Sequence, residues 1–213
     1  MKERVVVIGG GGHAKVLVDI IEQSLDIEIV GFVSIGEHET LYGYPRLGND
    51  DVLPAKFDSG VRSALVAIGD NRRRKVVIDM LRKIGFRLIN AISPAAVVSK
   101  YVRTEAGIVV LPGAVVNAGS HLEDGVIVNT NASIDHDCSV GECVHVAPGA
   151  NVAGCVRLEE GVFLGAGSCV IPGVTIGSWT IVGAGAAVVS DLPASVVAVG
   201  VPAVLSKVYR ANP

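Results

Sequence analysis

Three side chains in the segment Ile134-Asp135-His136-Asp137-Cys138 are of the types that move protons. An imidazole titrates close to neutral pH, so a neutral His136 can take a proton from an attacking group. A carboxylate beside such a base fixes its tautomer and steadies the imidazolium that results. Asp135 and Asp137 both flank the ring, and either can serve. A second histidine, His145, follows nine residues later. His121 precedes an inward Leu122 and reads as structural, and His38 lies in a polar loop with no specific role. Near the N-terminus, Gly9-Gly10-Gly11-Gly12 precedes His13. Such a run lets the chain turn tightly after a strand, and the helix N-terminus beyond it favours a diphosphate. It is not a full G-x-G-x-x-G, because the last glycine is missing. The basic cluster Arg72-Arg73-Arg74-Lys75 is either the solvated start of a helix or an anion site.

The elements that must position these groups fall into two sets. Residues 1–90 alternate between strands and helices. Strands are expected over Val5–Ile8, Ile27–Val33, Ala64–Ile68 and Arg87–Ile89, with helices over Ala14–Gln23 and Arg72–Ile84. In the first helix, Val16, Leu17, Ile20 and Ile21 share one face. This alternation predicts a small parallel, Rossmann-like α/β domain. After Pro94 the period changes to six. From Val98 to Val188, fifteen of sixteen positions at six-residue steps are aliphatic, Thr104 being the exception. Two residues before each lies a second row of mostly Val, Ile, Ala, Ser and Cys. Three residues after each lies a turn row rich in Gly, with Asn131 and Asp137 among the rest. Each unit is then one short strand with two inward side chains and one turn that needs unusual dihedrals. Three units close an 18-residue coil, and sixteen units make about five coils, a prism roughly 24 Å tall at the strand spacing. The narrow interior accounts for an aromatic content of only 4% in a chain that is half hydrophobic.

Composition removes several function classes. The chain has 213 residues, a net charge of -3 and no basic stripe, so nucleic acid is not an expected partner. No run of 18 apolar residues exists, and the N-terminal apolar run is too short for a signal peptide. The four cysteines, Cys138, Cys143, Cys155 and Cys169, form no CxxC pair and read as reduced residues, which makes a cytoplasmic location the expectation.

The hexad pattern resembles the left-handed β-helix acyltransferases. Three stretches narrow the likeness: Val7-Ile8-Gly9-Gly10-Gly11-Gly12-His13, Ile134-Asp135-His136-Asp137-Cys138 with His145-Val146-Ala147-Pro148-Gly149-Ala150, and Gly200-Val201-Pro202-Ala203. Together they are similar to the sialic acid O-acetyltransferase and UDP-4-amino-sugar N-acetyltransferase family over nearly the whole chain. The resemblance implies an α/β domain over 1–90 that holds a nucleotide sugar. It implies a left-handed parallel β-helix of about five coils over 91–213, which carries the acetyltransferase site and ends in a C-terminal tail. It further implies a homotrimer with active sites at the seams, acetyl-CoA as co-substrate, no metal, and direct attack of a sugar amine or hydroxyl on the thioester.

Residue roles carry over by motif. The resemblance implies His136 as general base with Asp137 as its orienting acid. It implies that His145 contacts the thioester end of acetyl-CoA, that the Gly154 N–H faces the same oxygen, and that Ala166 and Ala184 lie along the pantetheine arm. Gly11, Gly12 and His13 would cradle the sugar nucleotide. Ser34 stands where the family usually has an acid that contacts the nucleoside. Gly69, Asn71 and Arg74 match a turn at the nucleotide or its phosphate. Uridine diphosphate is the leading expectation for the carrier. Rival readings are an O-acetyltransferase on sialic acid or another sugar hydroxyl, an acyltransferase on an amino acid or antibiotic, a γ-class carbonic anhydrase with zinc, and a nucleotide-binding scaffold. An amino-acid or antibiotic acyltransferase has no need of the Gly9–His13 domain. The spacings of fifteen and nine among His121, His136 and His145 do not suit the three-histidine zinc site. An intact His136-Asp137 pair speaks against a scaffold.

Overall fold

The computed structural model describes residues 2–36 and 38–208, with side chains through Ser206. The end of the expected C-terminal tail, residues 209–213, lies outside the described residues. The chain divides into two compact units, Met1–Ala91 and Ile92–Pro213.

The first unit is built on β1 (Glu3–Ile8), whose Val5, Val6, Val7 and Ile8 are buried. It pairs in parallel with β2 (Ile27–Val33) on one side. Helix α1 (Gly12–Glu22) connects the two strands. α1 buries Ala14, Leu17, Val18, Ile20 and Ile21, whereas Val16, expected on that face, is 38% exposed. The hydrophobic face is centred one residue further round the helix than the sequence pattern placed it. Beyond β2 lie β3 (Thr40–Leu41) and β4 (Tyr44–Gly48), joined through Tyr42 and Gly43, both at positive φ. Two such residues are what a tight two-residue hairpin demands. The short helix α2 (Leu53–Asp58) follows. Next come β5 (Ser63–Val66), α3 (Asn71–Ile84) and β6 (Arg87–Leu88). Asp70 caps α3 by accepting the Arg73 N–H at 2.8 Å, and Gly85 at φ 108° ends it. The sheet order is β3-β4-β2-β1-β5-β6, parallel except for the β3/β4 hairpin. β1 therefore sits where the strand order reverses, and the crevice at such a point is where doubly wound sheets bind ligands.

The second unit is a left-handed parallel β-helix with three faces. Each two-residue strand pairs with the strand eighteen residues on: Val110 with Val128, Val128 with Val146, Val146 with Leu164, Leu164 with Val182. The aliphatic row and the row two residues before it form one continuous core. Val98 and Thr104 are the exceptions in the aliphatic row. They lie in the first coil, at the end of the stack, where Val98 is half-buried and Thr104 exposed. The turn row is left-handed throughout, with φ between 55° and 80° from Gly107 to Gly185. Asn131, Asp137, Cys143, Cys155 and Trp179 adopt it with side chains, at a cost on the order of 1 kcal/mol each. After Val188 the hexads end. Val196–Val199 continues one face and turns back through Gly200-Val201-Pro202-Ala203, with a cis Val201–Pro202 bond, into an antiparallel Val204–Val208.

Candidate active site

The wrapping brings His136, Asp137, Gly154 and Cys155 together at one corner of the prism. The Cys155 N–H bonds to the His136 carbonyl at 2.9 Å, which stacks the two turns one rung apart. His136 Nδ1 lies 2.9 Å from Asp137 Oδ2. The neighbouring carboxylate oxygen of Asp137 rests over Gly119, where an added Cβ would fall 2.2 Å away. The imidazole lies flat on Gly154, since a Cβ there would sit 2.6 Å from both Cε1 and Nε2. The other flanking acid points elsewhere. One Asp135 oxygen accepts from Asn117 Nδ2 at 2.9 Å and from the His136 backbone N–H at 2.9 Å. Of the two carboxylates, Asp137 holds the ring and Asp135 holds the turn.

These contacts set the electrostatics. The hydrogen bond to Asp137, with the nearby charge of Asp135, raises His136 above its ordinary 6.5. The Asn117 amide and the His136 N–H hold Asp135 below its usual range. With Nδ1–H engaged by Asp137, the neutral ring keeps Nε2 for a proton from outside. The side chain is 57% exposed, so a substrate can reach it. A groove of about 460 Å³ runs along the adjoining face past Asn117, Ser133, Asp135, Asn151 and Cys169.

His145 is elsewhere. It lies on the face opposite the His136 corner, 8% exposed, edge-on to Phe163 at 5.2 Å. Its Nε2 is 3.0 Å from Asn129 Nδ2, and Asn129 Oδ1 accepts the Thr130 N–H, which fixes the amide. Nε2 is thus an acceptor in this pair. Ala166 and Ala184 stack at a third place, the corner between that face and the grooved one. There the Gly185 N–H bonds to the Ala166 carbonyl at 2.9 Å. An added Cβ at Gly149, Gly167 or Gly185 would meet nothing within 4 Å, so this corner is a smooth, open wall. Within one chain His136 and this wall occupy different corners.

In the first unit the glycine run divides by role. A Cβ at Gly9 would strike the Ala67 carbonyl at 2.5 Å, and one at Gly10 would lie 2.9 Å from the Phe32 ring and 3.1 Å from Ser34. Those two are needed for packing. Gly11 and Gly12 face open space. Cavities lie to both sides, one of about 90 Å³ lined by Gly9, Ser34, Asp50, Ile68 and Arg73, the other of about 230 Å³ lined by Gly10, Lys15 and Thr40. Arg74, expected at a phosphate, is 1% exposed. It donates instead to the carbonyls of Ile68 and Gly69 and to Asn71 Oδ1. It shapes the Gly69–Asn71 turn from below. Burial, together with the Arg74 charge, lowers His13 to about 4, so it is neutral near pH 7. Its Nε2 is buried with no hydrogen-bond partner among the described residues.

The family model for the PglD N-terminal domain matches residues 4–92. A histidine-to-asparagine variant of perosamine N-acetyltransferase from Caulobacter crescentus, solved with CoA and GDP-perosamine, is 45% identical. The match covers 95% of this chain and 96% of that one, with a TM-score of 0.93. The acetyltransferase domain of PglB from Neisseria gonorrhoeae is 36% identical over 96% of this chain and 100% of that one, TM-score 0.92. WeeI from Acinetobacter baumannii is 25% identical over 95% and 99%, TM-score 0.83. This chain belongs to the hexapeptide-repeat sugar N-acetyltransferase family.

Within this sugar N-acetyltransferase, sequence reading missed Asn129, Asn117 and Cys155 at the candidate sites. Each has a signal once the chain is written in rows of eighteen. Asn117 then stands beside Asp135, Gly119 beside Asp137 and His136 beside Gly154. Asn129 falls one rung below Ala147 and two residues from the rung neighbour of His145. Cys155 occupies a turn-row position at φ 60°, one rung from His136.

Proposed function

We propose that this enzyme transfers the acetyl group of acetyl-CoA to the amine of a nucleotide-linked sugar, with His136 as general base. The observation that carries the reading is the His136–Asp137 pair at an exposed corner, Nδ1 engaged and Nε2 laid against Gly154. His136 Nε2 takes a proton from the sugar amine as its nitrogen attacks the thioester carbonyl. Asp137 steadies the imidazolium that forms. The C–S bond breaks, and His136 returns the proton to the departing CoA sulfur. Microscopic charge balance is kept, and no covalent enzyme intermediate is needed.

Several observations support the reading. Two relatives 45–46% identical over 95% of this chain were solved with CoA and GDP-perosamine, and a PglB domain with acetyl-CoA. They favour a guanosine diphosphate carrier over the uridine carrier that the motif resemblance implied. The cavities around Gly9–Gly12 and Ser34 would take the nucleotide. Because the base and the Ala166/Ala184 wall lie at different corners of one chain, a second copy must supply one of them. That requirement, with exposed Ile171 at 43% and Val189 at 47% beside the groove, supports a homotrimer with active sites at its seams. Acetyl-CoA and nucleotide sugars are cytoplasmic metabolites, which supports a cytoplasmic location. Among the described residues no helix is long and apolar enough to cross a membrane.

The test is acetyl transfer from acetyl-CoA to a panel of GDP-, UDP- and dTDP-linked amino sugars, with mass spectrometry of the product. N-acetylation of one of them is expected, with a loss of at least ~100-fold for His136→Ala, the usual worth of a general base. A His136→Ala enzyme within threefold of the parent removes the imidazole from the mechanism.

A further inference from the structure

We propose that His136, Asp137 and Cys155 form a site for a thiophilic divalent cation of the zinc class, and that its occupation shuts off the base. The three donors, one ring nitrogen, one carboxylate oxygen and one thiol sulfur, all lie within 4.8 Å of one another. They are the mixed nitrogen, oxygen and sulfur set that suits zinc rather than magnesium or calcium. Zinc–sulfur and zinc–nitrogen bonds of about 2.3 and 2.0 Å draw tetrahedral donors to roughly 3.3–3.6 Å apart. Closing from the observed spacing needs shifts of about an ångström, which exposed side chains on turns can make. All three are exposed, so an ion can reach them from solvent.

The backbone fixes the cluster before any ion arrives. The Cys155 N–H to His136 carbonyl bond stacks the two turns, and the left-handed turns at Asp137 (φ 58°) and Cys155 (φ 60°) repeat the same geometry one rung apart. The His136–Asp137 contact of 2.9 Å already brings two ligand atoms together, and the ion would take the place of the proton they share. Three protein donors leave a fourth position for water. The histidine spacing that set aside a three-histidine zinc site does not bear on this set, because only one histidine is used.

The inhibition arm rests on the reading of His136 as base; the binding arm does not. Cobalt(II) titration of the whole enzyme tests binding. A thiolate-to-cobalt charge-transfer band is expected at one ion per chain, lost in Cys155→Gly and kept in Cys169→Ser. Glycine is the residue most of the turn row already carries, so that variant retains the turn. Acetyl transfer under zinc tests inhibition, with the acetylated sugar quantified by chromatography because free CoA thiol takes up zinc itself. Measured against its own zinc-free rate, Cys155→Gly should need at least ~10-fold more zinc for half inhibition, the scale of losing a ligand. Absence of the band in the parent, or its survival in Cys155→Gly, overturns the site. A band without inhibition supports the site and overturns His136 as base.

Discussion

Gly154→Ala isolates the position of the His136 ring from its chemistry. The backbone at Gly154 is not left-handed, so alanine fits the local conformation, and the three atoms nearest the new methyl all belong to the His136 ring. That methyl would start 2.6 Å from Nε2 and Cε1, and ordinary contact begins at 3.4 Å. The ring must therefore retreat by about 0.8 Å or swing on χ1, and it moves away with the nitrogen that is to take the proton. Misplacement on this scale is worth on the order of 100-fold in rate. The ring is exposed, so the fold has little at stake, and the change in stability should stay within about 0.5 kcal/mol. The assay is initial-rate acetyl transfer over a range of sugar concentrations, with thermal unfolding alongside. A kcat reduced by 10- to 100-fold at unchanged melting temperature is expected. A kcat within threefold of the parent would show that the ring does not act from the place the structure gives it.

Three further outcomes follow from the same contacts. His136 is raised above 6.5 chiefly by Asp137, so kcat/KM should climb with pH to a midpoint above 6.5. In Asp137→Asn that limb should move down toward 6.5 with a lower plateau; an unmoved limb contradicts the pairing. His13 titrates at about 4 when folded against 6.5 when free, so the unfolded state binds more protons between those values, and stability falls as pH drops through that window. From pH 7 to pH 5 the loss attributable to this group is about 2 kcal/mol, and His13→Asn should flatten the denaturant-midpoint profile over that range. Finally, His136→Ala and Ala184→Trp, each inactive alone, should regain activity when co-assembled from mixed subunits. Mixtures as inactive as either parent would place both groups in one chain's site.

How much of this was legible depends on the range of the contacts involved. The β-helix is written in the chain because each hexad carries its own strand and turn, and burial follows the aliphatic row from Val110 to Val188. The central sheet was equally plain in β1 and β5, whose cores are buried and read as apolar runs, and in β2, whose last three residues are buried although Glu28 is exposed. The β3–β4 edge was not, because Pro45 and Arg46 interrupt any alternation and an edge strand needs only one partner. His136 and Asp137 are sequence neighbours, so their pairing was legible. Arg74 looked like an anion ligand by charge and motif, but its burial under the Gly69–Asn71 turn is a tertiary fact that no local pattern carries. Asn129 and Cys155 emerge only when residues one coil apart are set side by side.

The central claim is that His136 Nε2 receives the proton of a sugar amine attacking a thioester. A crystal structure of the enzyme with CoA and a nucleotide-linked amino sugar measures this directly. The account predicts the sugar nitrogen within about 2.6–3.2 Å of Nε2, or one water away, with the CoA sulfur at the same seam. A sugar nitrogen bound at the seam but out of reach of the imidazole, or a CoA thiol at another corner, would contradict it.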